Sequence, residues 1–557
     1  MKKLRNILLP LCAVLLLSSC AEDMNNNKNN ITPPPPVISD GLSNNAILSD
    51  SPKIGTVTFK AAEHIQGSSY VWNIEGVNLS NNQGRQITAD FAASGTYLVT
   101  LNVDGALYKA NIIIPANDVD YEIDMGKSHT IISDKAQKRL FVYGDNSKGQ
   151  LCIEKTITSL KEPRILKSYT SEISTVAAGN NHTLFTDNTY VYGCGDNSLG
   201  QLGLGSTDVV DNAVTISNIS QISNIRRIFV SSGGDMSVAG IEFLDGKAPK
   251  ISIYHWGYDD TKENKIQSSA NLLTTSNSRD KVLFATGSNF SIIRATSSYN
   301  VFSIGINDKW QLGRIQGAGT GYPSQGEEEK NSPDNNPTLN KTDMTAGYVY
   351  TPYGEEDNYV NYYQNNYFGK IATGDDFVVS IKKETKEDFS WTKIPKNSLY
   401  VWGNNEYGQL GFTSSNTSVG RATPLFDALQ GEPMTTDPNK VKPIQKEMVE
   451  VAAGRATGYA ISNDGILYGW GDKSKSQLTN NKHANQTNNM VYEIANPNGV
   501  TKGYKKVWAG GDRVIALAGD NNLYTWGDNK NGILGTNNSA DIVDTPEKLF
   551  FSLAPVE

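Results

Sequence analysis

LYVWGNNEYGQLG, residues 399–411, is an apolar and aromatic strand that ends in Gly, turns through an Asx-rich loop and closes on Gln-Leu-Gly. Six further copies flank it: LFVYGDNSKGQLC (140–152), VYGCGDNSLGQLG (191–203), IYHWGYDD (253–260), VFSIGINDKWQLG (301–313), LYGWGDKSKSQL (467–478) and LYTWGDNKNGILG (523–535). The third has lost its Gln-Leu-Gly half. Successive copies start roughly 50 to 100 residues apart, the scale at which one repeat is one four-stranded sheet that cannot bury its apolar faces without neighbours. The pattern predicts an all-β chain with a seven-bladed β-propeller over residues 117–557.

Each repeat carries a second element ending in a small residue and Gly: IDMG (123–126), VAAG (176–179), FVSSG (229–233), LFATG (283–287), KIATG (370–374), VAAG (451–454) and VWAG (507–510). Blades converge on an axis, so small residues are expected where inner strands crowd, and Gly where the backbone turns with positive φ. Gly126, Gly179, Gly403, Gly454 and Gly527 are accordingly read as structural positions of the repeat. Three residues beyond the Gly, a column reads His129, His182, Met236, Phe290, Phe377, Thr457 and Arg513. A position that accepts Phe and Met is a packing position, which argues against a catalytic or metal role for His129 or His182.

The Gly-x-x-His-Thr pieces (Gly126, His129, Thr130; Gly179, His182, Thr183), combined with Trp-Gly-x-Asn-x-x-Gly-Gln-Leu-Gly, resemble the regulator of chromosome condensation repeat family. The resemblance covers about 430 residues and implies a seven-bladed propeller presenting loops at both ends of a rigid ring. Secreted bacterial relatives include a β-lactamase inhibitor protein, so the resemblance implies protein binding. Such repeats usually place a Pro-x-x-Val type of strand upstream of the first motif, and YEIDMGKSHT (121–130) lacks one. The tail DTPEKLFFSL (544–553) is expected to supply that missing strand of blade one and so remove an exposed edge.

The N-terminus carries Lys2, Lys3 and Arg5, an apolar run from Ile7 to Leu17, and then Leu-Ser-Ser-Cys20. Residues 1–19 read as a lipoprotein signal peptide: the run is too short for a permanent span, and Cys20 after small residues resembles the lipidated Cys of a bacterial lipobox. Glu22 and Asp23 resemble acidic signals for export to the cell surface. Residues 20–51, with NNNKNN and Pro33 to Pro36, read as a disordered tether. Residues 52–116 alternate as a small β-sandwich; YVWNIEG (70–76) and ASGTYLVTLNV (93–103) resemble polycystic kidney disease (PKD) and immunoglobulin-like modules, with Trp72 in the core.

Removal of residues 1–19 takes the formal charge from -8 to about -11. An acidic chain disfavours sequence-independent nucleic-acid binding, which depends on Lys and Arg neutralising phosphates. Cys152 and Cys194 lie in adjacent repeats; a bridge is compatible with an oxidising envelope, but two unpaired buried thiols are the expected state. No cofactor or metal is expected: His64, His255 and His483 are scattered, and no Cys/His spacing fits zinc. Asp118, Asp120, Glu122 and Asp124 read as one polar strand face at the domain junction rather than a calcium loop. No phosphate loop, nucleophile elbow or glycosidase-like carboxylate pair is recognisable.

Residues 314–370 form a long insertion bearing Tyr322, Tyr348, Tyr350, Tyr353, Tyr359, Tyr362, Tyr363 and Tyr367. Tyr offers large contact area at low rotamer cost, so Tyr322 to Tyr363 are candidate partner-binding residues, against the alternative that they cover the propeller's own side. The sequence thus points to an envelope lipoprotein, lipid-anchored and surface-exposed, that binds a protein or glycan without catalysis. The alternative is an envelope polysaccharide-processing enzyme. Nucleotide exchange, known for the family's eukaryotic founder, is disfavoured for an exported acidic chain.

Overall fold

The computed structural model describes residues 46–556, apart from 63–65, 167–168, 170–171, 217–218, 220–221, 260–265, 278–281, 295–301, 314–367, 383–397, 412–417, 426–445, 480–490 and 554. The chain is all-β, with nine sheets and no α-helix among the described residues. Cys20 and Tyr322, Tyr348, Tyr350, Tyr353, Tyr359, Tyr362 and Tyr363 lie outside the described residues.

Seven sheets follow one another along the chain, each antiparallel in sequence order. The first ring sheet comprises Tyr121–Met125, His129–Asp134, Arg139–Asp145 and Ser159–Leu166. The second starts at Thr175–Ala178, the third at Ile225–Gly233, the fourth at Leu283–Thr286, the fifth at Phe368–Thr373, the sixth at Met448–Ala453 and the seventh at Tyr504–Gly510. The fourth has three strands among the described residues, the others four or more. Backbone hydrogen bonds tie neighbouring sheets at the ends of these first strands: Asn180 N–H to Gly234 O (2.7 Å), Ser288 to Asp375 (3.0 Å), Asp375 to Arg455 (3.2 Å) and Arg455 to Gly511 (2.6 Å). The first strands of the seventh and first sheets also touch, so the ring is closed.

The repeated motif explains how the seams hold. In the loops that carry it the motif Asn side chain accepts the Leu N–H, as from Leu410 to Asn405 Oδ1 (2.9 Å), and in those that carry Gln its side chain accepts the N–H two residues before it, as from Tyr407 to Gln409 Oε1 (2.8 Å). That leaves the Gln carbonyl free to accept from the next sheet. Trp256 Nε1 donates to Gln201 O (2.7 Å), Trp402 to Gln311 (3.1 Å), Trp470 to Gln409 (2.9 Å) and Trp526 to Gln477 (2.8 Å). A Trp fully buried against the neighbour, with its N–H satisfied, combines large apolar burial with a fixed register.

Three seams depart from this pattern. Between the first and second sheets, Cys194 stands at the Trp position and is joined to Cys152, with Cα atoms 5.3 Å apart, while Gln150 O accepts the Thr183 hydroxyl (2.7 Å). The expectation of two free thiols is therefore corrected: Cys152 occupies the Gly position of Gln-Leu-Gly, which faces the next sheet's Trp position, so the two registers that looked different in sequence meet in space. Reduction of this bridge, which closes a segment with a sequence separation of 42, should lower the unfolding free energy by about 4 kcal/mol on the chain-entropy model. Denaturant melts with and without a phosphine reductant check this; coincident curves would contradict it.

At the seam between the third and fourth sheets neither half of the clasp is present in the sequence, because the third motif lacks Gln-Leu-Gly and the fourth has Ile304 at the Trp position. Apolar packing fills it: Phe284 lies on the bare backbone of Gly240 and faces Phe229 at 6.2 Å, among Val238, Ile251, Val282 and Ile293. At the third departure, between the seventh and first sheets, Tyr143 takes the Trp position and Arg513 supplies the polar link. Its guanidinium donates to Thr130 Oγ1 (3.0 Å), Gly126 O (2.6 Å), His129 O (3.0 Å) and Ile533 O (3.0 Å).

The C-terminal tail does not supply a missing strand of the first ring sheet. Ile542–Lys548 is the fourth strand of the seventh sheet, against Leu523–Asp528. The first sheet is completed by Ser159–Leu166, the strand after its own motif, because each sheet runs from its first strand through the motif strand to the strand that follows. Among the described residues the tail reaches the first sheet at its outer edge, where Pro555–Val556 lies parallel to Ser159–Leu166.

Before the ring, Ile47–Ser49, Gly55–Ala61 and Gln86–Phe91 form one sheet and Tyr70–Ile74, Gly95–Val103 and Ala106–Ile114 another. They share one core that includes Val57, Phe59, Trp72, Leu101 and Ile112. Ile47–Ser49 falls inside the stretch expected to be tether; it is a strand because it pairs with Gly55–Ala61 on one edge and with Phe551–Ser552 of the tail on the other. Phe551 then stacks on Tyr121 and meets Phe141 edge-on in the first ring sheet, while Leu553 joins the core of the two preceding sheets, so the tail contributes to both cores.

Candidate functional site at the axial cavity

The loop between the first and second strands of each ring sheet is where the seven sheets converge. At Gly126 a Cβ would sit 2.2 Å from Gly179 O and 2.4 Å from His129 Cε1; at Gly179, 2.1 Å from His182 Cε1; at Gly454, 2.7 Å from Thr457 Oγ1. The side chain three residues on therefore lies over its own Gly while the neighbouring backbone closes from the side. These glycines do not have positive φ, which corrects the sequence expectation. The left-handed conformation belongs to the motif glycines, with φ 104° at Gly403 and 110° at Gly527. The first strand ends by close approach, and the motif strand ends by a turn.

His129 and His182 are fully buried in the seams. His129 Nε2 pairs with Thr183 Oγ1 (2.9 Å), and His182 Nε2 with Ser237 Oγ (2.9 Å) and Ser232 Oγ (2.6 Å). Burial, with the Arg513 charge second, holds the His129 imidazole down at about 3; burial holds His182 at about 4. Between about 4 and the ordinary 6.5, the unfolded chain binds a proton at position 182 that the folded one does not. This stability is present above 6.5 and lost as pH falls towards 4. His182→Phe, which places there the residue found at Phe290 and Phe377, should remove that slope: relative to wild type it should gain about 2 kcal/mol between pH 7 and pH 4.5. Urea melts at the two pH values read the difference, and parallel losses would contradict it.

The first strands enclose an axial cavity of about 330 Å³ whose wall includes Asp124, Lys127, Asn180, Ser288, Asp375 and Arg455. Asp124 does not form part of a polar face at the domain junction. Its carboxylate turns to the axis and accepts Met125 N–H (2.9 Å) and Ala178 N–H (2.8 Å). Burial pushes it up to about 7. Asp375 is raised to about 6, by burial first and then by Asp376. From the same cluster as Asp124, Glu122 pairs with Lys135 and Asp120 with Lys506. No group of three metal-ligating side chains occurs among the described residues.

Arg455 dominates one side of the mouth. It bonds Asp512 (2.9 Å) and Asp472, and its guanidinium lies 5.4 Å from the centre of the Tyr407 ring. Tyr407 is 46% exposed, and the neighbouring loops are joined by Lys309 and Glu406. Sequence reasoning passed over these residues. The signal was present one residue after the Gly of each first strand, where the chain writes Lys127, Asn180, Gly234, Ser288, Asp375, Arg455 and Gly511. Positions that seal seams repeat; positions that face the opening vary in charge and size.

Residues 396–461 match the regulator of chromosome condensation (RCC1) repeat. The mouse X-linked retinitis pigmentosa GTPase regulator is 33% identical over 151 residues, 27% of this chain and 14% of that protein. Yeast RCC1 (Prp20), solved bound to Kap60, superposes with a TM-score of 0.51 at 18% identity, covering 77% of this chain and 84% of its own. Human WBSCR16 gives 0.53 at 19% identity, covering 74% and 93%. The fold is thus that of the RCC1-like β-propellers. This chain spans about one-seventh of the length of the mouse regulator.

Proposed function

We propose that the seven ring sheets are seven blades of a propeller, preceded by a PKD- or immunoglobulin-like sandwich, and that the chain is a cell-envelope lipoprotein serving as a non-catalytic binding scaffold. In this reading residues 1–19 are a signal peptide and Cys20 is lipidated, which anchors the chain to the membrane and exposes it on the outer surface, and its partner is a protein or glycan rather than a nucleic acid. The observation that carries the binding role is the division of labour in the repeat. The His, Trp, Gln and Gly positions are consumed by seams, while the mouth carries unlike, part-exposed side chains such as Arg455 and Tyr407. Rigid frames with variable loops are the usual arrangement for recognition. The complex of yeast RCC1 with Kap60 supports a protein partner.

Capture from envelope extracts with the full mature chain tests the reading: a partner retained through washing supports it, and neither protein nor glycan retained overturns it. Cys20→Ser and protease treatment of intact cells test the anchor and its side; unchanged membrane fractionation of the variant would remove that part of the proposal.

A further inference from the structure

We propose that the sector of the mouth formed by the fourth, fifth and sixth ring sheets docks a basic segment of a partner protein, with Trp310 and Tyr407 as its aromatic contacts. This rests on the scaffold reading and adds the place and the chemistry of the partner. The first observation is backbone. Trp310 has φ 65°, at the loop position held elsewhere by Gly149, Gly200, Gly408 and Gly532 with φ 75–79° and by the small Ser476 with φ 58°. Gly adopts this conformation freely, whereas a Trp there carries strain of about 1–3 kcal/mol. The other loops that keep this position close on Gly or Ser there, so the turn itself does not require an aromatic side chain.

The second observation is the adjacent loop. Tyr407 stands 46% exposed with a guanidinium, that of Arg455, already seated at 5.4 Å from its ring centre. One ring face therefore accepts a cation in the free protein, and the exposed remainder is free to take another. Trp, Tyr and Arg close together are the side chains that dominate protein interfaces.

The third observation is charge. Asp308, Asp375, Asp376 and Glu406 crowd the two cations Lys309 and Arg455, and Arg455 is already shared between Asp472 and Asp512. Burial raises Asp376, and the neighbouring Asp308 and Glu406 add to that rise, so the acids here repel one another. An incoming Lys or Arg relieves that repulsion, and the cavity wall continues the acidic path inward through Asp375.

The test uses the full mature chain and a fluorescein-labelled peptide of four Arg-Gly repeats, titrated by anisotropy. Tyr407→Ala should weaken binding about tenfold, the scale of one cation–π contact with its packing. Asp376→Asn with Glu406→Gln should weaken it comparably. Trp310→Gly should weaken it several-fold while the melting temperature stays unchanged or rises, an outcome that a merely structural Trp would not give. Asp541→Asn with Asp544→Asn, an equal charge change on the seventh sheet, should alter binding less than twofold. Equal losses from both charge pairs would show diffuse attraction and overturn the proposal, as would a neutral glycan competing at the Tyr407 sector with no peptide bound. A partner captured from envelope extract equally by wild type and Tyr407→Ala overturns the sector while leaving the scaffold function standing; capture of nothing by wild type overturns the scaffold function itself.

Discussion

Gly126→Ala is expected to lower the unfolding free energy by more than about 3 kcal/mol, because the new methyl group meets backbone and a buried ring that have nowhere to go. Its Cβ would lie 2.2 Å from Gly179 O, which belongs to the next sheet, and 2.4 Å from His129 Cε1. The carbonyl is fixed by its own strand, and His129 is fully buried and bonded to Thr183. Relief therefore demands that two sheets move apart along the whole seam. Gly246→Ala provides the contrast: φ is 62° and nothing lies within 4 Å, so the cost is backbone strain alone, about 1 kcal/mol. Denaturant melts of the two variants should separate clearly. Similar midpoints would mean that the Gly column is not set by close approach.

Arg513→Ala should cost about 3–5 kcal/mol, the range seen when a fully hydrogen-bonded buried charged group is removed and its partners are stranded. Four acceptors, Thr130 Oγ1 and the carbonyls of Gly126, His129 and Ile533, would lose a donor at the seam that closes the ring. His129 and His182, at the equivalent position, reach the next sheet through one ring nitrogen each, whereas Arg513 bridges residues 383 to 387 positions apart in sequence. Arg513→Lys should recover part of the loss, since an ammonium can satisfy some but not all of the fork of acceptors. The measurement is equilibrium unfolding monitored by Trp fluorescence. A loss under about 1 kcal/mol for the Ala variant would show that the seam closes by packing alone.

The three seams without a Trp clasp also predict dynamics. The first–second seam is held by the Cys152–Cys194 bridge and the seventh–first seam by Arg513, whereas among the described residues the seam between the third and fourth sheets is held by inner-strand contacts and the Phe284 cluster. Amides of Phe290–Arg294 should exchange through a lower-energy opening than those of Thr457–Ser462, which lie between two Trp-clasped seams. Equal protection of both strands in native-state hydrogen exchange would contradict this.

Much of this frame was legible in the chain because one motif recurs and each recurrence states the same packing problem. Trp470 and Gln409 are read as a pair once their positions are compared across copies, although the direction of the hydrogen bond, from one sheet to the preceding one, needs coordinates. Arg513 looked like one more entrant in a packing column; its role depends on which sheets are first and last. The disulfide was hidden because Cys152 and Cys194 occupy different columns, and those columns face each other across a seam. The tail misled for a related reason: Ser159–Leu166 does not look like the strand usually expected upstream, yet it completes the first sheet from downstream. At the mouth, Asp375 and Arg455 each stand one residue after the Gly of a first strand, a column whose residue changes from copy to copy and so marks a place but not a chemistry, while Asp124 lies outside that column.

Function follows from what the seams leave over. The repeat consumes its histidines, tryptophans and glycines in holding sheets together, and the residues that vary between copies face the opening. Hydrogen exchange of the full chain, with and without a captured protein partner, tests this most directly. The account predicts new protection in the mouth loops around Ser288, Lys309, Tyr407 and Arg455, with the seam strands unchanged. Protection confined to the hairpins at the opposite end, such as Asp187–Tyr190 or Asp520–Asn522, or to the two sheets that precede the ring, would contradict it.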